Sequence, residues 1–182
     1  AIFLPGDLTN SYTYFDEVGL RRLARALVPI APCFAVPGNH EWRLDREPMY
    51  RQILTEGGVH YLCDSYADWH KDGAILRLYG VGRKRPAPLN VEGQPAIVLA
   101  HRPEHMPHYV QAGWDLVVCG HAHGGQWRIP LILNGLYAPG QGLFPKYTSG
   151  MHDGRFIISR GLKRTFFPPR IFNPTEIVII DT

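Results

Sequence analysis

Four short apolar runs, each ending abruptly in a turn that carries a polar side chain, constrain this chain more than any other feature. Residues 1–4 run into Pro5-Gly6-Asp7, residues 33–36 into Pro37-Gly38-Asn39-His40-Glu41, residues 96–100 into His101-Arg102-Pro103, and residues 116–119 into Gly120-His121-Ala122-His123-Gly124-Gly125-Gln126. Apolar runs this short, bounded by turn residues, are the pattern of buried strands. Between the first two, Leu20, Leu23, Ala24 and Leu27 fall at helical spacing with Arg21, Arg22 and Arg25 on the wet side, and Pro29 and Pro32 end the helix. Strand, helix, strand predicts a parallel βαβ unit whose site lies beyond the carboxyl ends of the strands.

The rest of the chain extends this reading. A helix is predicted over 47–56, closed by Gly57-Gly58. One or two strands follow around 59–62 and 74–81, with a turn at Lys71-Asp72-Gly73. Residues 83–95, rich in proline and charge, read as an exposed loop, and 104–111 as a short helix with Pro103 near its first position. Residues 135–154 are rich in glycine and read as a long loop. Residues 156–159 and 176–180 read as final strands separated by the aromatic, proline-rich segment 166–174.

At 182 residues the chain is expected to be one domain, 1–182, with a substantial core. Its three cysteines show no CxxC spacing, so nothing requires an oxidising compartment. No apolar run is long enough to span a bilayer and no signal-like segment opens the chain, which leaves a cytoplasmic or an envelope-associated location open. The net charge of +3 is small, and the aromatic residues are not interleaved with a basic stripe, which argues against nucleic acid as the main partner.

Asp7, Asn39, His40, His101, His121 and His123 are the chemistry-bearing groups at the four strand ends. Each alone has an ordinary explanation: a turn cap, a left-handed turn residue, a satisfied core histidine. Four in chain order point to a metal site. One carboxylate, one amide oxygen and imidazoles, with no thiolate, suit Mn²⁺, Fe or Zn²⁺ and argue against a structural zinc finger. A carboxylate can bridge two ions about 3.5–4 Å apart, the spacing of two-metal hydrolases.

GD, then GNHE, then an isolated histidine after an apolar strand, then GHAH resemble the signature blocks of calcineurin-like metallophosphoesterases. GHAHGGQ, the later SRG and PPRIFNPTEIVIID are similar to the YkuE/YaeI-type bacterial phosphodiesterase branch. The resemblance implies a four-layer α/β/β/α sandwich and hydrolysis of a phosphate ester, a phosphodiester before a monoester, by metal-activated water. It implies one or two divalent ions per chain, Mn²⁺ before Fe or Zn²⁺. Asp7 is then the bridging carboxylate, Asn39, His101 and His121 complete the second metal, and His123 belongs to the first. His40 stands beside the phosphate to stabilise or protonate the leaving oxygen, and Glu41 is expected to orient its ring. A phospholipid or a nucleotide-like diester is the kind of substrate the branch suggests.

The family pattern opens with Asp-x-His on a strand before GD, and no such block precedes Asp7 here. The expectation is therefore a domain without its first strand, whose first metal keeps only Asp7 and His123. Three readings compete: a piece of a full enzyme, a short member with a one-metal or weakened site that binds metal or phosphate with little catalysis, or a neighbouring chain that donates strand and ligands.

Weaker candidates remain. Arg160 and Arg170 suit bidentate phosphate binding, with structural salt bridges as the alternative. His105 and His108 fall on one face of the short helix, or are simply solvated. Gly124-Gly125-Gln126 offer backbone N–H groups to a phosphate or merely return the chain from the metal. Tyr137, Phe144 and Tyr147 form an apolar lip for a lipid or aromatic substrate, or pack as ordinary surface.

Overall fold

The computed structural model describes residues 1–9, 15–83, 95–163 and 169–181. Two sheets face each other. The smaller is parallel, in the order β1 (Ile2–Leu4), β2 (Cys33–Ala35), β3 (His60–Tyr61). Helices α1 (Glu17–Leu27) and α2 (Glu47–Glu56) cover its outer face. The larger has six strands: β4 (Ser65–Lys71), β5 (Ala74–Gly80), β6 (Ala96–Leu99), β7 (Leu116–Cys119), β10 (Gly150–His152) and β11 (Phe156–Ile158). Their order is β10-β11-β7-β6-β5-β4, with the four inner strands parallel and the two edge strands antiparallel.

Side chains alternate between faces, so each apolar strand serves two cores. Cys33 and Ala35 face α1 and α2, while Phe34 and Val36 face the second sheet. In β6, Ile97 and Leu99 point to the inter-sheet core, and Ala96 and Val98 to the outer core with α3 (Met106–Gln111) and Trp114. Three apolar cores thus separate four layers, α/β/β/α, as expected. Burial on both faces is why these strands read as unbroken apolar runs.

The helices start and stop for identifiable reasons. Asp16 caps α1, its Oδ1 accepting from the Gly19 N–H at 2.8 Å, a contact worth about 1 kcal/mol. Pro48 sits in the first turn of α2, where its missing N–H costs nothing, and Gly58, at φ +86°, follows the end. The hairpin turn expected at 71–73 joins β4 to β5, with Asp72 and Gly73 both in the left-handed region that two-residue hairpin loops require.

Three expectations change. Ser65–Lys71 is a full seven-residue strand, not anticipated because its mostly polar side chains sit on an exposed edge. The loop over 135–154 contains a small hairpin, β8 (Tyr137–Ala138) with β9 (Gly142–Leu143), and β10. Residues 176–180 form no strand; Ile177 and Ile179 are exposed, and only Ile180 of the run joins the inter-sheet core. The loop expected over 83–95 falls mostly outside the described residues, and so do the first three residues of the segment 166–174. Among the described residues, no helix is long and apolar enough to cross a membrane.

Candidate metal centre

The carboxyl ends of β1 and β2 meet those of β6 and β7, and every candidate ligand leaves from one of these ends. The turns after β1 and β2 touch backbone to backbone. A Cβ on Gly6, itself at φ +83°, would lie 2.5 Å from the Gly38 nitrogen, and one on Gly38 would lie 2.2 Å from Asp7 Oδ1. Glycine at both places lets Asp7 reach the second strand end, where its Oδ1 accepts from the His40 N–H at 2.9 Å.

Asp7, His101 and His121 offer ligand atoms that all lie within 4.8 Å of one another. The His101 ring is fixed from behind: Nδ1 lies 2.7 Å from the Pro5 carbonyl oxygen, which only accepts, so Nδ1 carries the proton. In the neutral ring Nε2 is then a lone pair, and it faces Asn39 Oδ1 at 3.0 Å and Asp7 Oδ2 at 3.2 Å. Three acceptors that face one another need a cation between them. A proton is one solution: burial alone would lower the His101 pKa, but the hydrogen bond and charge of Asp7 raise it on balance. The partner shift agrees, since burial would raise the Asp7 pKa but His101, with His40, holds it well below the usual carboxylate range. A divalent ion is the other solution and fits this nitrogen-oxygen set.

His121 completes the group, its ring 4.6 Å from that of His101 between centroids. Its Nε2 points toward Glu104 Oε1 at 3.8 Å, and its Nδ1 is buried with no hydrogen-bond partner. That leaves Nδ1 as the nitrogen available to a cation, with a carboxylate behind the other nitrogen, the usual outer support of a metal-binding histidine. Burial, reinforced by the neighbouring His101, pushes the His121 pKa down to about 3, so the ring is neutral at physiological pH. Nothing in the sequence pointed to Glu104, because its approach to His121 depends on how α3's leading turn packs.

His123 stands outside the 4.8 Å group, half-buried. Burial, then the charges of Arg170 and Lys163, push its pKa down to about 4. His40 is buried with Nε2 3.8 Å from Asp7 Oδ2, and burial outweighs Asp7 to lower its pKa. Glu41 has a role the sequence did not suggest. Its fully buried carboxylate accepts from the N–H groups of Asp7 and Gly38 at 2.8 Å each, and from the Thr9 N–H and hydroxyl at 3.2 and 2.9 Å. These four bonds tie together the turns that carry Asp7 and Asn39. The charge of Glu41 also acts to raise the pKa of the His40 ring.

Three of the chemistry-bearing residues sit in strained backbone: Asp7 at φ 55°, His121 at 66° and His123 at 49°. Each non-glycine residue there costs on the order of 1–3 kcal/mol and must be held by its surroundings. Glu41 holds Asp7. Asn173, buried and unremarked in the sequence reading, donates through Nδ2 to the His123 and Gln126 carbonyls at 2.7 and 3.1 Å. The N–H groups of Gly125 and Gln126 are spent inside the turn, on the Ala122 and His123 carbonyls.

Arg160 forms a two-pronged ion pair with Glu176, which also accepts from its backbone N–H. Arg170 gives Nη2 to the Arg160 carbonyl at 2.7 Å and keeps Nε and Nη1 buried without hydrogen-bond partners. Beside Asn39 and His101 opens a cavity of about 550 Å³, walled by Trp42, Arg83, Arg102, His105 and His108. The Arg83 guanidinium lies 4.2 Å from the Trp42 ring.

The calcineurin-like phosphoesterase family model matches residues 1–125, the part that carries every residue of this cluster. The chain is 31% identical to the phosphodiesterase YaeI of Escherichia coli over 142 residues, 72% of this chain and 51% of that protein. It is 25% identical to each of two uncharacterized metallophosphoesterases of Bacillus subtilis, YkoQ and YkuE, covering 97% and 98% of this chain and 70% and 66% of theirs. It thus spans about half the length of YaeI and about two thirds of the other two. No solved structure matches it significantly. On the family match over its first 125 residues, the chain belongs to the calcineurin-like phosphoesterases.

Proposed function

We propose that this chain hydrolyses phosphate esters, diesters in preference to monoesters, with a divalent ion held by Asp7, Asn39, His101 and His121. The observation that carries the reading is the set of facing acceptors, His101 Nε2, Asn39 Oδ1 and Asp7 Oδ2, beside the buried, unpartnered Nδ1 of His121. The preference for diesters draws on the resemblance to YaeI, whose name is that of a phosphodiesterase. When bound, the ion supplies Lewis-acid charge to a phosphate oxygen and lowers the pKa of water. Mn²⁺ comes first among the candidates, with Fe and Zn²⁺ next.

The protein's own groups do the rest. His40, beside Asp7 at the mouth of the centre, stabilises or protonates the leaving oxygen. Glu41 keeps Asp7 and Gly38 in register. Arg83, Arg102 and His108 line the cavity in which the remainder of the ester lies, and Arg170 offers two free donors near His123. A weaker, one-ion centre is the second reading. It is favoured by His123 lying outside the cluster, which leaves a first ion only Asp7 and His123. Completion would require ligands on a strand laid along β1, whose one described neighbour is β2.

The test is metal content and turnover of bis(4-nitrophenyl) phosphate by the Mn²⁺-loaded chain. One or two ions per chain, activity lost in Asp7→Ala, and metal retained with lower turnover in His40→Ala are the expected results. Hydrolysis at the parent rate by a metal-replete His121→Ala protein would falsify the scheme.

A further inference from the structure

Beyond the metal centre, the chain presents an apolar, cationic face. Immediately after the metal-bearing turn, residues 129–133 form a tight tip in which Ile129 and Leu133 exchange backbone hydrogen bonds and the Ile132 N–H returns to the Ile129 carbonyl. At its apex Leu131 is fully exposed and Ile132 is 83% exposed. Phe172 is 71% exposed and lines the same cavity of about 440 Å³ as the tip. Leu143 and Phe144 are exposed as well, and the Phe144 N–H donates to the Leu136 carbonyl, three residues after the tip. So many large apolar side chains in water on one part of a surface mark a contact site.

Charge bears on what the contact is, since Arg128 and Arg160 line the same cavity as the tip. Between residues 116 and 175 the chain has seven Lys or Arg and one acid, Asp153, although it has 19 and 16 in all. The positive charge of the molecule is therefore concentrated in this segment. Arg128 is held at the base of the tip by neutral partners, Ser149 and Asn134, and Arg160 by Glu176. Leu131 and Ile132 stand out in solvent at the apex, with Phe172 across a cavity beside them. A fluid apolar phase accommodates such side chains without a matching pocket, and the hydrogen bonds inside the tip already satisfy three of its N–H groups.

We propose that this face docks on an anionic lipid bilayer, Leu131, Ile132 and Phe172 entering the interface while Arg128 at their base meets the headgroups. This is independent of whether the centre hydrolyses phosphate esters. Trp127, at the base of the tip and partly exposed, reports the contact.

Flotation of the chain with phosphatidylcholine vesicles containing phosphatidylglycerol tests it. Expected are binding that weakens at least about ten-fold in phosphatidylcholine alone or in high salt, and a blue shift of fluorescence that disappears in Trp127→Phe. The double variant Leu131→Asp, Ile132→Asp, and separately Phe172→Asp, should each lose at least about ten-fold in vesicle binding. Both should keep the parent's circular dichroism and its rate on bis(4-nitrophenyl) phosphate in solution. The proposal is overturned if the parent does not bind anionic vesicles, or if the folded variants bind as well as the parent. It is equally overturned if the parent is a dimer that ignores vesicles and the double variant a monomer, since the face would then join two copies.

Discussion

His121 and His123 leave the same turn two residues apart, and the molecule uses them differently. Both sit at positive φ, so the backbone cost is shared. Yet His121 is buried against His101 with Glu104 behind it and Asp7 within reach, while His123 faces Arg170 and Lys163 outside the cluster. A turn can present two imidazoles, but what completes a ligand set is the opposite sheet. The strand ends of β1 and β2 bring Asp7 and Asn39 across to the His101 and His121 side. Among the described residues no second His, Asp, Glu and Cys group of this kind forms around His123.

The largest effect should come from removing each ring in turn. His121→Ala should lower Mn²⁺ affinity and diester turnover by more than about 100-fold, beyond the 10–100-fold that loss of an outer partner costs. His123→Ala should leave the tighter equivalent of metal within about threefold of the parent, because a ligand outside the cluster contributes little affinity to it. Titration calorimetry with elemental analysis separates them. Equal losses in both variants would break the comparison and place the two rings on one shared ion pair.

The next effect belongs to Glu41, which holds the turns of Asp7 and Asn39, and none of whose four hydrogen bonds reaches the turn of His121 and His123. Glu41→Gln retains shape but converts acceptors of four buried bonds into a group that must also donate. Each hydrogen bond to a charged group is worth about 1.5–3 kcal/mol, so a loss of roughly 3 kcal/mol in urea unfolding is expected, with metal affinity down about 10-fold or more. Retained stability with lost turnover would instead mean that Glu41 acts through His40.

That contrast also marks how far the sequence could be read. The ligands were legible because each ends an apolar strand in a polar turn, a pattern visible residue by residue. The four layers followed from runs buried on both faces. The job of Glu41 was not legible, since its partners Asp7 and Thr9 lie 34 and 32 residues away and meet it only when β1 pairs with β2. Strand β4 was missed because an edge strand with polar side chains has no apolar run to show. Residues 176–180 misled for the opposite reason: four aliphatic residues imply burial, but a strand also needs a ladder partner.

Acid should show both rings in the metal-free protein. The folded pKa values of about 3 for His121 and about 4 for His123 lie below the ordinary 6.5. The unfolded chain therefore binds more protons between these values, and stability falls as the pH drops below 6.5. Between pH 6.5 and 5.5 each ring should cost about 1 kcal/mol. His101 is raised, so its contribution is already complete below 6.5 and adds no slope there. Thermal melts in chelator at pH 6.5 and 5.5 should differ accordingly, and either alanine variant should remove that ring's share, with the buried His40 supplying a further part. Saturating Mn²⁺ should remove the share of His121 and leave those of His123 and His40.

The smallest effect concerns the two arginines nearest His123. Arg160 spends its guanidinium on Glu176, whereas Arg170 retains Nε and Nη1. If the His123 side serves the substrate instead of a metal, Arg170→Ala should raise KM for a phosphodiester about threefold, near 0.7 kcal/mol, with kcat held. Arg160→Ala should leave KM alone and lower stability by about 1 kcal/mol or less, since its ion pair is partly exposed. A KM effect from Arg160 and none from Arg170 would reverse the assignment and leave the free donors of Arg170 without a substrate role.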